Sequence, residues 1–144
     1  MQNTQTDHFS ILLFPGFSNL CLANAVEPLR AANTLARRTL YEWNFLTLED
    51  ELVNSSSGLP VQAEKLSSSA KGAFLFVMPS YGYKALATQG TARALRAAAN
   101  RYETLVGLDT GTWLLAHAGL LDGYRATCHW DILGTTSEAF PNVE

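Results

Sequence analysis

Residues 105–121 read LVGLDTGTWLLAHAGLL, and on this stretch the choice of fold depends. A short apolar run ends at Gly107-Leu108, one charged residue follows at Asp109, and Thr110-Gly111 leads into a segment of helical character that stops at Gly119. A strand that passes through a glycine-flanked turn straight into a helix is how α/β enzymes often mount a nucleophile above a sheet. Here Asp109 occupies the position that such a turn exposes, where a cysteine or serine would serve that chemistry.

The other segments supply what such a strand needs on either side. FSILLF (9–14), closed by Pro15-Gly16, predicts a buried first strand. Ser18 or Asn19 can cap a helix over 20–36, in which Leu22, Val26, Leu29, Ala32 and Ala36 recur at helical spacing. Pro28 inside it predicts a local kink, because proline removes a backbone donor. YEWNFLTLE (41–49) alternates and is rich in aromatic residues, which predicts the second strand. Residues 51–70 hold short extended pieces between Ser, Gly and Pro turns, either a small hairpin or an irregular crossover. GAFLFVMP (72–79) is the continuous apolar run of a strand covered on both faces. Alanine and arginine predict a helix over 91–103, and TLVGL (104–108) is the next strand. Residues 122–130 predict a turn and a short extended piece, and 130–140 a last short helix before Pro141.

Strands and helices thus alternate, which predicts an α/β fold with a mostly parallel sheet and helices on both faces. Ligands of such sheets bind beyond the carboxyl ends of the strands, here residues 14–19, 78–83 and 107–112.

A chain of 144 residues with 47% hydrophobic and 16% charged residues suits one compact domain. A net charge of −3 gives it no basic footprint for nucleic acid, and Arg37-Arg38 reads as a solvated helix end. Cys21 and Cys128 lie far apart without metal-binding spacing, so no metal and no cofactor is expected and a reducing cytoplasm is the simplest location. The polar start MQNTQTDH lacks the basic and apolar regions of a signal peptide. No apolar run approaches the ~20 residues that cross a bilayer, so no membrane contact is expected.

Two readings are open for Asp109: a carboxylate presented at a pocket floor, or a helix N-cap. Glu27 is either on the solvated side of its helix or partly buried beside Val26. Cys128 and His129 are neighbours in an extended stretch and point apart, which argues against a thiolate–imidazole pair. His117 reads as a packed or surface residue and His8 as the edge of the leader. Phe17, Tyr81, Tyr83, Trp113 and Trp130 gather near the loop ends, and Tyr81 and Tyr83 suit a core least because they follow a strand in a Pro/Ser/Gly loop.

ILLFPGFSNLCLANAVEPLRAAN, FLFVMPSYG and VGLDTGTWLLAHAGLLDGYRATCHW together resemble the ThiJ/PfpI-like, class I glutamine amidotransferase-like domain. The similarity is to the form found in GlxA-type AraC-family transcriptional regulators, where the domain precedes a pair of helix-turn-helix motifs. It covers residues 9–140 and implies a three-layer sandwich around a flavodoxin-like sheet. The organisation it implies is a leader over 1–8 and a ligand-sensing domain over 9–144, with the helix-turn-helix domain absent from these residues.

Enzymes of that superfamily place a cysteine at the strand–helix turn and beside it an acidic residue from the first helix, often with a histidine after the cysteine. On the matching motifs, Glu27 takes the acidic position, Asp109 the cysteine position and Thr110 the histidine position. The resemblance therefore implies no catalytic residues and a sensing, dimerising role. Two carboxylates sharing a pocket are relieved by a cation, and aromatic rings nearby add cation–π attraction. Regulators of this branch include sensors of arginine, carnitine and glycine betaine. The implied ligand is a cationic or zwitterionic amine, and the implied binding residues are Glu27, Asp109, Thr110, Tyr81, Trp113, Trp130 and Phe17. The implied partners are this small-molecule effector, a second copy in a homodimer, and DNA only through a domain not present here. The alternative is an amidase- or hydrolase-like enzyme using Asp109 and Glu27.

Overall fold

The computed structural model describes residues 6–144, and its first two elements form where the apolar run and the cap place them. Strand β1 (Asp7–Leu13) is followed by helix α1 (Asn19–Ala36), whose N-cap Ser18 accepts a hydrogen bond from the Cys21 amide at 3.3 Å. Of the expected leader, residues 1–5 lie outside the described ones, and Asp7-His8 already belong to β1. Helix α1 continues through Pro28, which cannot donate to the Asn24 carbonyl one turn back. Its end is fixed by Arg37, left-handed at φ 51°. Asn33 ties that end to the next strand: its Oδ1 accepts from the Leu40 and Tyr41 amides, and its Nδ2 donates to the Tyr41 carbonyl.

Strand β2 (Tyr41–Thr47) stops two residues short of the aromatic run's expected end. Residues 51–70 resolve into an antiparallel hairpin, β3 (Leu52–Asn54) and β4 (Pro60–Gln62), and a short strand β5 (Glu64–Lys65). Strand β6 (Gly72–Met78) leads to a one-turn helix α2 (Tyr83–Leu86) and then α3 (Gln89–Ala99). The expected helix over 91–103 is thus shifted toward the N-terminus. Thr88 caps it by accepting from the Thr91 amide, and Tyr102 is already committed to the sheet opposite Gly72. Strand β7 (Tyr102–Gly107) turns into α4 (Gly111–His117). Residues 122–129 form no strand; the Gly123 and Ala126 amides instead donate to the Asn142 and Glu144 carbonyls. A 3₁₀ turn (Trp130–Ile132) and α5 (Leu133–Ala139) complete the described chain.

The main sheet has the order β5-β2-β1-β6-β7, and each neighbouring pair is parallel. Because side chains alternate across a strand, β1 and β6 feed two cores. Ile11, Leu13 and Met78 pack with Phe17, Val53 and the inner side of α1, while Leu12, Leu75 and Val77 pack with Leu95, Ala98 and Leu114 of α3 and α4. Helices on both faces of a parallel, flavodoxin-ordered sheet make the three layers expected from the sequence. Tyr102 donates to Ser10, which donates to Asn44, a polar chain that satisfies hydroxyls inside the sheet. Among the described residues no helix is long and apolar enough to cross a membrane.

The turn between β7 and α4 is a close backbone approach. A Cβ on Gly107 would lie 2.6 Å from the Thr112 nitrogen, and one on Gly111 would collide with the Val77 carbonyl oxygen. Both obstacles are backbone atoms that cannot rotate away. Gly134 in α5 has no heavy atom within 4 Å of where its Cβ would be and serves as a matched control. Gly111→Ala is expected to destabilise the protein by about 3 kcal/mol, the upper end for overpacking. Gly134→Ala should be neutral or stabilising by up to ~1 kcal/mol, from helix propensity. Urea unfolding of the two variants checks the contrast.

Candidate functional site

Asp109 is held in the left-handed region at φ 56°, uncommon for a residue other than glycine. The turn around it is over-determined. The Leu108 amide donates to the Val77 carbonyl at 3.0 Å and the Gly111 amide to the Leu108 carbonyl at 2.8 Å, while the His129 amide donates to Asp109's own carbonyl at 3.2 Å. Thr110, buried, donates its hydroxyl to the Ser80 carbonyl at 2.9 Å and so ties the turn to the loop after β6. The N-cap of α4 is Thr110. Asp109 is therefore not the helix cap that one sequence reading allowed. Among the described residues no hydrogen bond involves its carboxylate.

Asp109 lines a cleft of about 660 Å³ beyond the carboxyl ends of the strands. Three loops build it, as in parallel sheets generally. Ser18, Cys21 and Asn24 come from the start of α1, Ser80 and Tyr81 from the loop after β6, Tyr83 from the start of α2, and Asp109 and Thr110 from the turn after β7. His129 and Asp131 close one side, and the His129 Nδ1 accepts from the Asp131 amide at 3.3 Å.

The structure brings together three of the seven residues expected to hold a ligand: Asp109, Thr110 and Tyr81, the last 72% exposed. The other four lie elsewhere. Glu27 is exposed and pairs with Arg30 at 2.7 Å, outside the cleft lining. Six residues of helix carry it about 9 Å along and roughly 120° around from Cys21. Phe17 is fully buried under α1. Trp113 is buried between Tyr83 and Phe140, edge-on to both, and the Lys84 ammonium already lies 5.2 Å from its ring. Trp130 is 79% exposed and packs against His129, at the margin of the cleft rather than in its lining.

The α1 residue that senses Asp109 is Cys21, which sequence reasoning left out. Burial, and then the Asp109 charge, push its thiol up to about 11. Both causes disfavour the thiolate, so Cys21 is a neutral, weakly nucleophilic group at neutral pH. Tyr83 is also pushed up, by partial burial and then by Asp131 and Cys128. Cys128 does turn away from His129: its Sγ lies 3.8 Å from the Thr136 hydroxyl, and it packs against the α3–α4 core. No group of three or more His, Cys, Asp or Glu among the described residues is placed to hold a metal ion.

The fold is that of the ThiJ/PfpI-like domains, shared with a ThiJ/PfpI family protein from Pseudomonas syringae at a TM-score of 0.70 and 22% identity, over 92% of this chain and 55% of that one. Similarity in sequence is narrower. The chain is 38% identical over 143 residues to the HTH-type transcriptional regulator GbdR of Pseudomonas aeruginosa, which is 99% of this chain and 39% of the relative. The crystal structure of an AraC family transcriptional regulator from Pseudomonas putida superposes with a TM-score of 0.81 at 28% identity, covering 96% of this chain and 75% of that one. No family model matches. In sequence the chain is similar to HTH-type transcriptional regulators, GbdR and GlxA among them, and in fold to an AraC family regulator and to ThiJ/PfpI-like domains. It spans about two fifths of the length of these curated relatives, 39% of GbdR and 41% of GlxA.

Asp109→Asn should lower the Cys21 pKa, since the substitution removes a negative charge, yet leave it above the ordinary thiol value because burial remains. In a Cys128→Ser background, alkylation at pH 8.5 is expected to run faster in Asp109→Asn than in the parent. Equal rates would show that the Asp109 charge does not reach Cys21.

Proposed function

We propose that this chain is the effector-sensing domain of a transcriptional regulator, and that it binds a cationic or zwitterionic amine metabolite in the Asp109 cleft without transforming it. One observation carries the proposal: an aspartate held by a strained turn in the lining of a cleft, with Asp131 also in that lining and no lysine or arginine among the lining residues. A cation is the natural partner of such a site, and the open Tyr81 ring adds about 0.5–1 kcal/mol of cation–π attraction at an exposed position.

Catalysis finds less support in the same geometry. Hydrolysis through a covalent intermediate needs a nucleophile within hydrogen-bond reach of a base. Among the described residues, the His129 ring accepts from a backbone amide and makes no hydrogen bond with a hydroxyl, thiol or carboxylate. A hydrolase pairing Glu27 with Asp109 has no geometric basis, since Glu27 is engaged with Arg30.

The names of the relatives support a regulatory setting, and their greater length supports DNA contact through another part of the protein. We also propose that the domain pairs with a second copy of itself. Leu20, which also lines the cleft, and Leu35, at the other end of α1, are strongly exposed apolar side chains that a second copy would cover. Sedimentation at tens of micromolar reads this directly, and a monomer would contradict it.

A thermal-shift screen with arginine, glycine betaine, carnitine, choline and polyamines tests the ligand. At a ligand concentration about 100 times Kd, mass action gives about 2.7 kcal/mol of stabilisation, a rise of several degrees for a domain of this size. Asp109→Asn should abolish the rise while keeping the backbone, because asparagine tolerates the left-handed region. A rise that survives the substitution would move the ligand away from Asp109, and no rise with any amine would overturn the proposed ligand class.

A further inference from the structure

A second concavity shares no lining residue with the Asp109 cleft. It measures about 160 Å³ and lies at the carboxyl ends of β1 and β2, walled on one side by α2 and the start of α3. Phe14, Leu48 and Leu86 give it apolar walls. Thr47, the last residue of β2, lies in the lining and is only 3% exposed. Its Oγ1 accepts one long hydrogen bond, from the Glu49 amide at 3.4 Å, and among the described residues its O–H has no acceptor. A buried hydroxyl with an unspent proton is costly unless something else receives it. Glu49 and Asp50, both exposed, also lie in the lining.

We propose that this cavity is a second small-molecule site, which takes an uncharged molecule with an apolar body the size of one ring and an acceptor atom for the Thr47 hydroxyl. Three features fix that chemistry. The volume matches the ~150 Å³ at which an apolar protein cavity holds a benzene ring. The unspent proton of Thr47 calls for an acceptor at the wall, such as an amide or alcohol oxygen. The two carboxylates repel an anion of the same shape. The site is independent of the amine ligand. Both sites draw on the β1–α1 loop, in which Pro15 lines one and Ser18 the other, and on α2, in which Ala85 and Leu86 line one and Tyr83 the other.

Benzamide and benzoate differ little in shape and by one charge, which makes them the probes. In amide-resolved NMR titrations of the chain, benzamide should shift the Thr47, Leu48 and Thr91 amides with a Kd on the order of a millimolar, as expected for a fragment of this size. Benzoate should bind at least about tenfold more weakly, from the charge repulsion. Thr47→Val keeps the shape and removes the hydroxyl, and should weaken benzamide about five- to tenfold. Ala85→Phe fills the cavity from α2 and should abolish the shifts, and if that variant does not fold, Thr47→Val decides. Benzoate binding as tightly as benzamide, indifference to Thr47→Val, or absence of shifts at these amides would each overturn the site.

Discussion

The Val77 carbonyl is the point on which the site turns. It accepts the Leu108 amide, and it also stands so close to Gly111 that no Cβ fits between them. The end of β6 and the turn after β7 are therefore pressed together backbone to backbone, and the Thr110 hydroxyl adds a tie to Ser80. Pinned on both sides, the residue between has one course open to it, the left-handed conformation, which costs roughly 1–2 kcal/mol in a residue other than glycine. Burial offsets that cost. Gly111 through Ala116 are all buried, so the first turns of α4 are driven into the core directly beyond the strained residue.

The same constraint explains why the cleft reads as a place to hold charge. A turn of this shape aims its central side chain into the space above the sheet whatever that side chain is. With aspartate there, the group is anionic and short, and it has no hydrogen-bond partner among the described residues. Its effect is felt by the neutral thiol of Cys21 across the cleft, which is pushed up by burial and by the Asp109 charge. The polar groups that line the cleft with Asp109 are hydroxyls, a thiol, an amide, two tyrosines, an imidazole and a second carboxylate, which on the proposed reading recognise a ligand. The relatives, named as transcriptional regulators, fit that setting.

Much of the fold was legible in the sequence because its strands are buried on both faces and therefore appear as unbroken apolar runs, FSILLF and GAFLFVM above all. The turn was legible for a different reason, its two glycines, which the backbone contacts require. The one-turn helix α2 was not, since four residues are too few to show a period. In the site, Asp109, Thr110 and Tyr81 could be placed from the loops that carry them. Cys21 and Asn24 could not, because which side of α1 faces the turn depends on how the helix lies on the sheet. A signal was present in Ser18: a cap there starts the helix at the loop tip, so residues three and six further on remain close to the strand ends. Glu27 drew attention as a carboxylate, but it lies two further turns from the cap, where the helix has moved away. Trp113 follows the buried Gly111-Thr112 pair, and its ring is consumed by the core and by Lys84.

On the proposed reading, Asp109 itself receives the ligand's cation. Carbon-detected NMR of the aspartate side-chain carboxyls reads it most directly, with Asp109 assigned by its loss in Asp109→Asn. On saturation with an amine that stabilises the protein, the Asp109 carboxyl resonance should move more than that of Asp7 or Asp122, which lie outside the cleft lining. An Asp109 resonance that stays in place while the amine binds would show that the turn presents its carboxylate to no ligand.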